Sequence, residues 1–358
     1  MSDAIRFAFF GATHPHAQLQ IKTLQLMDDV ESIALVDDDA DAAIALAGKS
    51  PAKIEPRPLT LDEALERDDL GFVFADFPTD RNGPAVLQAL KAGKHVMSEK
   101  PVAISSTLIA EIVEAARVNG RTLSVCYQNR QQPIVRDMRR AIAEGAIGRI
   151  MNTECRLITS QVKFRDPGHW LFDRRRSGGG ILSWLMCHNF DLLRYMLQDE
   201  IVEVSAIVGT LSGEAIDVED TASGALRFRS GAIGAFNAGY LISASAEGYE
   251  VPVYDSYLGF RGTDGSMRWE AGEDGPVLHI ESSRPQGGGS TPSRSTSYPT
   301  ERGEGYGGAS GIAFVRRFIR AALHGEEPPT RGEDALQIAR IIEACYESSE
   351  HGRTAVVD

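Results

Sequence analysis

The chain has 358 residues, enough for two domains and a sizeable buried core. It carries 37 Lys and Arg against 50 Asp and Glu, and this net charge of −13 argues against binding to nucleic acid or anionic membranes, because both attract basic surfaces. Hydrophobic residues make up 42% and charged residues 24%, which is typical of globular proteins and excludes a disordered or fibrous chain.

The first 125 residues alternate short apolar runs with helical stretches. Strands are predicted at Ile5–Phe10, Ser32–Val36, Leu70–Ala75, His95–Ser98 and Leu123–Tyr127. Helices are predicted at Gln18–Met27, Ala40–Ala47, Gly83–Ala92 and Ser106–Asn119. This alternation predicts βαβ units and a doubly wound parallel sheet of the Rossmann type, covered on both faces.

The pattern changes after Gln128, where strands follow one another without intervening helices. These strands are predicted at Ile150–Ile158, Val202–Gly209, Thr221–Phe228, Ala232–Tyr240, Ser256–Gly262 and Ser266–Glu270. Helices are predicted at Ile134–Glu144, Ile181–Leu197, Ile312–His324 and Glu333–Glu350. The stretch Arg284–Ser310 is predicted to be a long surface loop, either a lid or a tolerated insertion. The second half is therefore expected to be an α+β domain with a mostly antiparallel sheet, and the overall fold class is α/β.

From the sequence we expect no signal peptide, no transmembrane helix and no disulfide scaffold. The four cysteines are widely spaced and form no CxxC pair. The N-terminal residues do not resemble a signal peptide, and no apolar run reaches the roughly 18 residues of a membrane span. These features favour a cytoplasmic protein.

The turn after the first strand lies where a dinucleotide-binding fold places its GxGxxG motif. The first glycine is present as Gly11, whereas Thr13 and His16 occupy the second and third glycine positions. Pro15 suits the first turn of a helix, so a helix N-terminus that faces a phosphate remains available. His14 and His16 either cover this helix start or contact cofactor or substrate. A metal site is not expected, because no third ligand lies nearby.

Asp37 directly follows the second predicted strand and lies 26 positions after Gly11. A carboxylate there can accept hydrogen bonds from the adenosine ribose and would repel the extra phosphate of NADP, so NAD is the expected cofactor. The alternative is an acidic helix start in which Asp39 is the cap, and both interpretations can hold together.

Three further motifs lie at the ends of predicted strands and resemble one family. They are Phe77-Pro78-Thr79, Ala92-Gly93-Lys94-His95-Val96 and Glu99-Lys100-Pro101. Gly178-Gly179-Gly180, followed by His188 and Asp191, and the run from Pro328 to Ser349 extend the likeness over the whole chain. The chain resembles the Gfo/Idh/MocA family, named for glucose–fructose oxidoreductase and inositol dehydrogenase.

The resemblance implies an NAD(P)-binding Rossmann domain at residues 1–127 and an α+β domain at residues 128–358. The second domain would contain a large open sheet that forms a homodimer or homotetramer, and its final helix could pack back on the first domain. Pro78, Thr79 and Glu99 are expected at the cofactor, although Glu99 could also orient Lys100 or form an ion pair.

Lys100 follows a parallel strand, at the edge where open α/β sheets bind ligands. A lysine at this position can hydrogen-bond a substrate hydroxyl and accept or relay its proton. By the resemblance, Lys100 is the catalytic lysine, and Tyr127, Asn129 and Arg130 are substrate or cofactor contacts. Asn129 and Arg130 could equally form a bridge between domains.

The helix after the glycine triplet places Trp184, His188 and Asp191 on one face. In the family this helix supplies an Asp and, four residues later, a His. His188 matches the histidine, and is either a proton-handling or hydroxyl-binding group or a structural histidine. Trp184 stands at the Asp position and could form an apolar wall against a sugar. Asp191 is expected to orient His188 rather than act as a base.

Trp170 and Arg175 are further candidate site residues. By the resemblance, Trp170 is expected over the nicotinamide. Arg175 is the middle residue of an arginine triplet in an acidic chain. Such a run is either a solvated loop or, if it turns inward, a contact for an anionic substrate.

The sequence therefore predicts an NAD-dependent dehydrogenase for a secondary hydroxyl of a sugar, polyol or sugar acid. Lys100 and His188 would share the proton transfer. The alternatives are an NAD-dependent glycosidase of the same fold and a non-catalytic NAD- or sugar-binding sensor.

Overall fold

The computed structural model describes residues 5–244, 254–272, 274–283, 293–299 and 303–357. These residues belong to two compact units. The first unit takes its residues from the ranges 1–131, 175–178 and 301–337, and the second from 132–174, 179–300 and 338–358.

The first unit contains a five-stranded parallel sheet. Its strands are β1 (Ile5–Phe10), β2 (Val30–Val36), β3 (Phe72–Ala75), β4 (His95–Ser98) and β5 (Leu123–Val125), in the spatial order β2-β1-β3-β4-β5. Helices α1 (Ala17–Gln25), α2 (Ala40–Lys49), α3 (Leu61–Glu66), α4 (Thr79–Lys91) and α5 (Ser106–Val118) alternate with the strands. Near-continuous apolar runs make strands that are buried on both faces, so the prediction of a Rossmann-type sheet is confirmed.

The core of this unit also includes a helix from the C-terminal part of the chain. Helix α9 (Gly308–His324) buries Phe314 and Phe318 against β-strand residues such as Phe72. The sequence predicted this helix from Ile312, and the structure begins it four residues earlier.

The second unit contains a nine-stranded sheet. Its strands are β6 (Ile150–Ser160), β7 (Ile201–Gly209), β8 (Thr221–Phe228), β9 (Ile233–Ile242), β10 (Tyr254–Gly262), β11 (Gly265–Gly272), β12 (Gly275–Ser282), β13 (Ser293–Ser297) and β14 (Ala355–Val356). The spatial order is β13-β12-β11-β10-β6-β9-β8-β7-β14. Strands β6 and β9 run parallel and the other neighbours antiparallel, as expected for a mostly antiparallel sheet.

Helices cover one face of this sheet. They include α6 (Pro133–Ala143) and α8 (Cys187–Leu197), and the ring of Phe190 on α8 packs edge-on against Phe236 of β9 at 5.2 Å. The short helix α7 (Arg174–Ser177) and the long helix α10 (Gly332–His351) complete the helices of the described residues.

The loop prediction for Arg284–Ser310 was wrong in part, and the helix predicted at Ile181–Leu197 was confirmed except that it is not α-helical throughout. Ser293–Ser297 forms a strand within the stretch predicted to be a loop, while residues 284–292 and 300–302 of that stretch lie outside the described residues. The helix predicted from Ile181 is not a continuous α-helix, because Leu182–Met186 forms a π-helical turn before α8 begins. Such turns occur frequently at functional sites.

Candidate active site

The turn between β1 and α1 is shaped by Gly11. Its φ is +99°, and a Cβ atom there would overlap the backbone at the end of β3. Glycine is therefore required where these neighbouring strands end close together. Thr13 and Pro15 are exposed on the turn, whereas His14 and His16 are buried.

Asp37, at the end of β2, lies against the same turn. Its Oδ2 accepts a hydrogen bond from the amide of Ala12 at 2.8 Å, and its Oδ1 accepts one from the amide of Asp39 at 3.1 Å. Its side chain is almost completely buried. Asp39 also caps α2 by accepting from the Ala42 amide, so both sequence interpretations of this acidic segment describe real contacts. The carboxylate is thus held in a fixed orientation beside the turn.

A cation that the sequence analysis did not single out lies next to Asp37. Arg81 Nη1 is 3.5 Å from Asp37 Oδ1, and Arg81 Nη2 donates to Asp38 at 2.7 Å. The Arg81 guanidinium also lies 4.3 Å from the centre of the Phe77 ring. This edge of the sheet therefore carries a positive as well as a negative charge.

A buried polar cluster fills the carboxyl edge of the sheet. We use this term for His14, His16, Asp76, Glu99 and Lys100, all of which are at least nine-tenths buried. His14 Nδ1 lies 2.7 Å from Asp76 Oδ1, and His16 Nδ1 lies 3.3 Å from Glu99 Oε1. Glu99 Oε2 accepts a hydrogen bond from the Lys100 amide at 3.1 Å. The turn between β1 and α1, which we expect to face the cofactor phosphates, is thus in contact with the residues that follow β4.

Burial and mutual charge shift the pKa values in this cluster. Burial lowers the pKa of His14 to about 4 and also lowers that of His16. Burial, together with the charge of Glu99, raises the pKa of Asp76 well above its usual range. Burial also opposes ionisation of Glu99, but the neighbouring His16, His14 and Lys100 outweigh it and lower the pKa of this carboxyl. Glu99 is therefore the carboxylate of the pair that stays ionised.

The start of α4 is fixed by side chains between the ends of β3 and β4. Pro78 is the N-cap residue, and Thr79 is the buried first residue of the helix. Asn82 accepts a hydrogen bond from the Phe77 amide at 3.3 Å and donates one to Ser98 Oγ at 2.9 Å. These contacts hold Pro78 and Thr79 at the same sheet edge as the buried polar cluster.

The predicted contacts after β5 also lie in the first unit. Tyr127 and Arg130 are buried and Asn129 is half-buried. Arg130 Nη1 forms an ion pair with Asp334 Oδ2 at 3.2 Å. Arg130 therefore has an acidic partner within its own unit.

In the second unit, the helical segment before and within α8 carries three of the predicted residues. Trp184 lies in the π-helical turn, and its ring meets that of Trp170 edge-on at 6.1 Å. His188 and Asp191 lie on α8 and are buried. Trp184 thus packs against the second tryptophan that the sequence analysis assigned to the site.

Glu219 anchors the start of this segment and was missed by the sequence analysis. Its Oε2 accepts from the Gly180 amide at 2.8 Å and its Oε1 from the Leu182 amide at 2.9 Å. A Cβ atom at Gly180 would overlap the Glu219 carbonyl, so the glycine permits this approach. Burial raises the pKa of Glu219. The possible sequence signal was the acidic pair Glu219-Asp220 directly before β8.

The first and third arginines of the triplet contact different residues. The Arg174 guanidinium lies 4.6 Å over the Tyr346 ring, and Arg176 Nε lies 3.6 Å from Asp80 Oδ2. Arg175 is exposed.

The structure therefore gathers Gly11, His14, His16, Asp37, Glu99 and Lys100 at one edge of the first unit, and Trp170 and Trp184 in the second. Asp76 and Tyr306, which contacts His16, were missed. Asp76 had a weak signal as a polar residue after an apolar strand, whereas Tyr306 lies far from the motifs in sequence and had none.

The described ranges contain neither a group of metal ligands nor a membrane-spanning helix. There, no three His, Cys, Asp or Glu side chains are grouped to hold a metal ion. No helix in the same ranges is long and apolar enough to cross a membrane.

Two protein-family models match this chain, one in its N-terminal part and one in the part that follows. Residues 5–127 match a model described as "Oxidoreductase family, NAD-binding Rossmann fold", and residues 135–268 match the "GFO/IDH/MocA C-terminal domain".

Similar proteins include several sugar and polyol oxidoreductases. The 1,5-anhydro-D-fructose reductase of Ensifer adhaerens is 31% identical over 66% of this chain and 67% of the relative. The inositol 2-dehydrogenase of Rhizobium meliloti is 25% identical over 96% of both chains. An oxidoreductase domain protein from Kribbella flavida shares the fold, with a TM-score of 0.85 and 23% identity over 99% of both chains.

Proposed function

The chain belongs to the GFO/IDH/MocA oxidoreductase family, and on that premise we propose that it is an NAD-dependent dehydrogenase. It oxidises a secondary hydroxyl of a sugar, polyol or sugar acid, or reduces the corresponding keto sugar. The observation that carries the proposal is the buried Lys100 beside Glu99 at the carboxyl edge of a parallel sheet. Relatives named inositol 2-dehydrogenase and levoglucosan dehydrogenase support a small polyhydroxylated substrate.

The residues of the first unit fit an NAD molecule. The Asp37 oxygens are oriented by two backbone amides and retain lone pairs for ribose hydroxyls. The turn from Gly11 to His16 leads into α1, whose N-terminus favours a pyrophosphate. When bound, NAD supplies the hydride acceptor. Pro78, Thr79 and Glu99 would lie at the nicotinamide end, and Trp170 is proposed to cover it.

Lys100 is the proposed proton acceptor for the reacting hydroxyl. A neutral amine at this position hydrogen-bonds the hydroxyl and takes its proton as the carbon loses hydride. In the second unit, His188 is the second proposed proton-handling group, Asp191 orients it, and Trp184 packs against a sugar face. Further proposed substrate contacts are Tyr127, Asn129, Arg130 and Arg175.

The test replaces Lys100 and compares turnover with cofactor binding. Lys100→Met should lower kcat by about 10²- to 10⁴-fold, because a positioned base typically contributes that much. Cofactor affinity should change little. Growth of NADH absorbance would be followed with myo-inositol, levoglucosan, D-xylose and D-apiose as candidate substrates, and NAD affinity would be measured by fluorescence titration.

Lys94→Met is the matched control. Lys94 is also buried and lies at the opposite end of β4, where its Nζ donates to the Arg67 carbonyl at 2.7 Å. Equal turnover of the Lys100 and Lys94 variants would contradict the role of Lys100. Release of an aglycone from a glycoside without net NADH would instead identify an NAD-dependent glycosidase.

A further inference from the structure

Asp76 is a completely buried carboxyl group with few polar contacts. It directly follows β3, and its exposed fraction is 0%. Apart from His14, no residue in the described ranges forms a hydrogen bond with either of its carboxyl oxygens. A buried carboxylate normally needs several hydrogen-bond donors to offset the loss of water. The proton state of Asp76 therefore depends on its contact with His14.

Other buried carboxyl groups of the chain have such donors. Asp37 accepts hydrogen bonds from two backbone amides, and the buried Asp220 likewise accepts from two. Glu99 accepts from the Gln20 side chain at 2.6 Å and from a backbone amide at 3.1 Å. N–H donors of this kind stabilise the ionised form of a carboxyl group. Within the described ranges, no backbone amide donates to Asp76.

The nitrogen of His14 that faces Asp76 already accepts a hydrogen bond. His14 Nδ1 lies 2.7 Å from Asp76 Oδ1, and the amide of His16 donates to the same nitrogen at 3.2 Å. Because burial lowers the pKa of His14 to about 4, this ring is neutral at neutral pH. A neutral imidazole has a proton on one nitrogen and a lone pair on the other. Nδ1 therefore carries the lone pair, and the proton in its contact with Asp76 belongs to the carboxyl group.

The charges around Asp76 favour the same proton state. Burial and the charge of Glu99 raise the pKa of Asp76, and His16 and Lys100 oppose this shift only in part. Cys126, which follows β5, also interacts with Asp76, and burial raises the pKa of its thiol well above the usual range. An ionised Asp76 would place a second negative charge near Glu99, where burial leaves both poorly hydrated.

Asp76 contacts the turn between β1 and α1 at two points. Its backbone carbonyl packs against Gly11 so closely that a Cβ atom there would overlap it. Its side chain contacts His14, whose ring binds the amide of His16, the N-cap residue of α1. Thr13 and His16 stand at the second and third glycine positions of the dinucleotide-binding motif. In this chain, side-chain contacts therefore help to fix a turn that the motif shapes with glycines.

We propose that Asp76 is a protonated carboxylic acid in the folded protein, and that its O–H donates to His14 Nδ1 and holds the turn in the conformation that binds NAD. Asp76 is thus a positioning residue, because it acts on the cofactor through His14. The neutral acid also adds no negative charge that would repel the pyrophosphate. The effect on NAD rests on the proposed function, whereas the proton state of Asp76 does not.

The proton state is tested without cofactor or substrate. The infrared difference spectrum between wild type and Asp76→Asn, recorded at neutral pH, should contain the C=O stretching band of a carboxylic acid. Asp37→Asn is the control, because Asp37 accepts two amides and its difference spectrum should contain only carboxylate bands. Carboxylate bands in the Asp76 difference spectrum would overturn the proposal.

The tautomer of His14 provides an independent measurement. In protein labelled with ¹⁵N-histidine, the ring resonances of His14 are assigned by NMR through their loss in His14→Gln. The nitrogen shifts should show a protonated Nε2 and an unprotonated Nδ1. A proton on Nδ1 would overturn the proposal, because Asp76 would then be the acceptor of this hydrogen bond.

The effect on the turn is measured as NAD affinity by fluorescence titration. Asp76→Ala removes the O–H donor and should weaken NAD binding by about tenfold. Asp76→Asn should restore most of this affinity, because its side-chain amide can donate to His14 Nδ1. Wild-type affinity in Asp76→Ala, or an equal loss in both variants, would overturn the positioning role.

Asp69→Ala is the matched control for NAD affinity. Asp69 lies before the same strand, at its opposite end, and forms ion pairs with Arg6 at 2.9 Å and Arg67 at 2.6 Å. Its replacement should leave NAD affinity unchanged. If wild type binds no NAD, the proposed function fails. The infrared and NMR measurements still decide the proton state of Asp76 in that case, and also if Asp76→Ala does not fold.

Discussion

We propose that the carboxylate of Asp37 and the guanidinium of Arg81 set the preference of the first unit between NAD and NADP. We predict that Asp37→Ala weakens NAD binding by about tenfold, because it removes charge-assisted hydrogen bonds to the ribose. NADP binding should change less or improve, since the repelling charge is lost and Arg81, 3.5 Å away, becomes available for the extra phosphate. Dissociation constants for both cofactors would be measured by fluorescence titration.

Asp38→Ala is the matched control for this prediction. Asp38 also pairs with Arg81, at 2.7 Å, but its side chain is 73% exposed. Its removal frees the same guanidinium and leaves the Asp37 carboxylate in place. NAD affinity that is unchanged in Asp37→Ala, or equally reduced in both variants, would remove Asp37 from the ribose contact.

The rules of parallel sheets explain which site residues could be predicted from the sequence. Asp37 and Lys100 lie one and two residues after the ends of predicted strands, and the structure places both at the carboxyl edge of the sheet. Tyr306 could not be found in this way, because it meets His16 across 290 positions of the chain and through a loop segment rather than a regular element. Arg81 was missed for a related reason, since its two acidic partners precede it by more than 40 positions.

At the scale of elements, the segment that carries Trp184 and His188 depends on Glu219. We predict that Glu219→Gln lowers the free energy of unfolding by about 1–3 kcal/mol, because the buried amide group offers one acceptor where two backbone amides need partners. Urea unfolding followed by circular dichroism would measure the change. The variant should also raise the exchange of the Gly180 and Leu182 amides with solvent.

Glu347→Gln provides the comparison for this variant. Glu347 on α10 forms an ion pair with Arg353 at 3.3 Å, and both side chains are exposed. Its replacement should change stability by less than about 0.5 kcal/mol. Equal stabilities of the two variants would show that the contacts of Glu219 do not hold this segment.

The apolar patterns that predicted the elements also explain where prediction failed. Strands β1 and β3 are short apolar runs buried in the sheet, so their positions follow from the sequence. Strand β13 has the sequence Ser-Arg-Ser-Thr-Ser and is exposed at every position, so it shows no alternation of apolar and polar residues. The π-helical turn at Leu182–Met186 is buried on all sides and has no polar face from which its period could be read.

At the scale of the whole molecule, the nine-stranded sheet of the second unit has a face opposite its helices that carries exposed residues. On the face opposite α8, Ala225 of β8 pairs with Ala235 of β9, and both are exposed. The same face exposes Ile207 to 80% and Ile233 to 52%. The same face also carries Ser223, Asn237 and the Glu203–Arg227 ion pair, and such a mixture of small, apolar and polar side chains is typical of protein–protein contacts. We therefore propose that this face forms the homodimer or homotetramer contact.

Ala235→Arg tests this assembly. Because Ala235 is exposed, the arginine should leave the fold of the protomer intact, which circular dichroism would verify. In a stacked pair of sheets it would bury an unpaired charge, which costs several kcal/mol and should convert oligomer to monomer at micromolar concentration in light scattering. Ala271→Arg is the control, since Ala271 is exposed on the opposite side of the same sheet. A monomeric wild type, or an oligomer that persists in Ala235→Arg, would contradict assembly through this face.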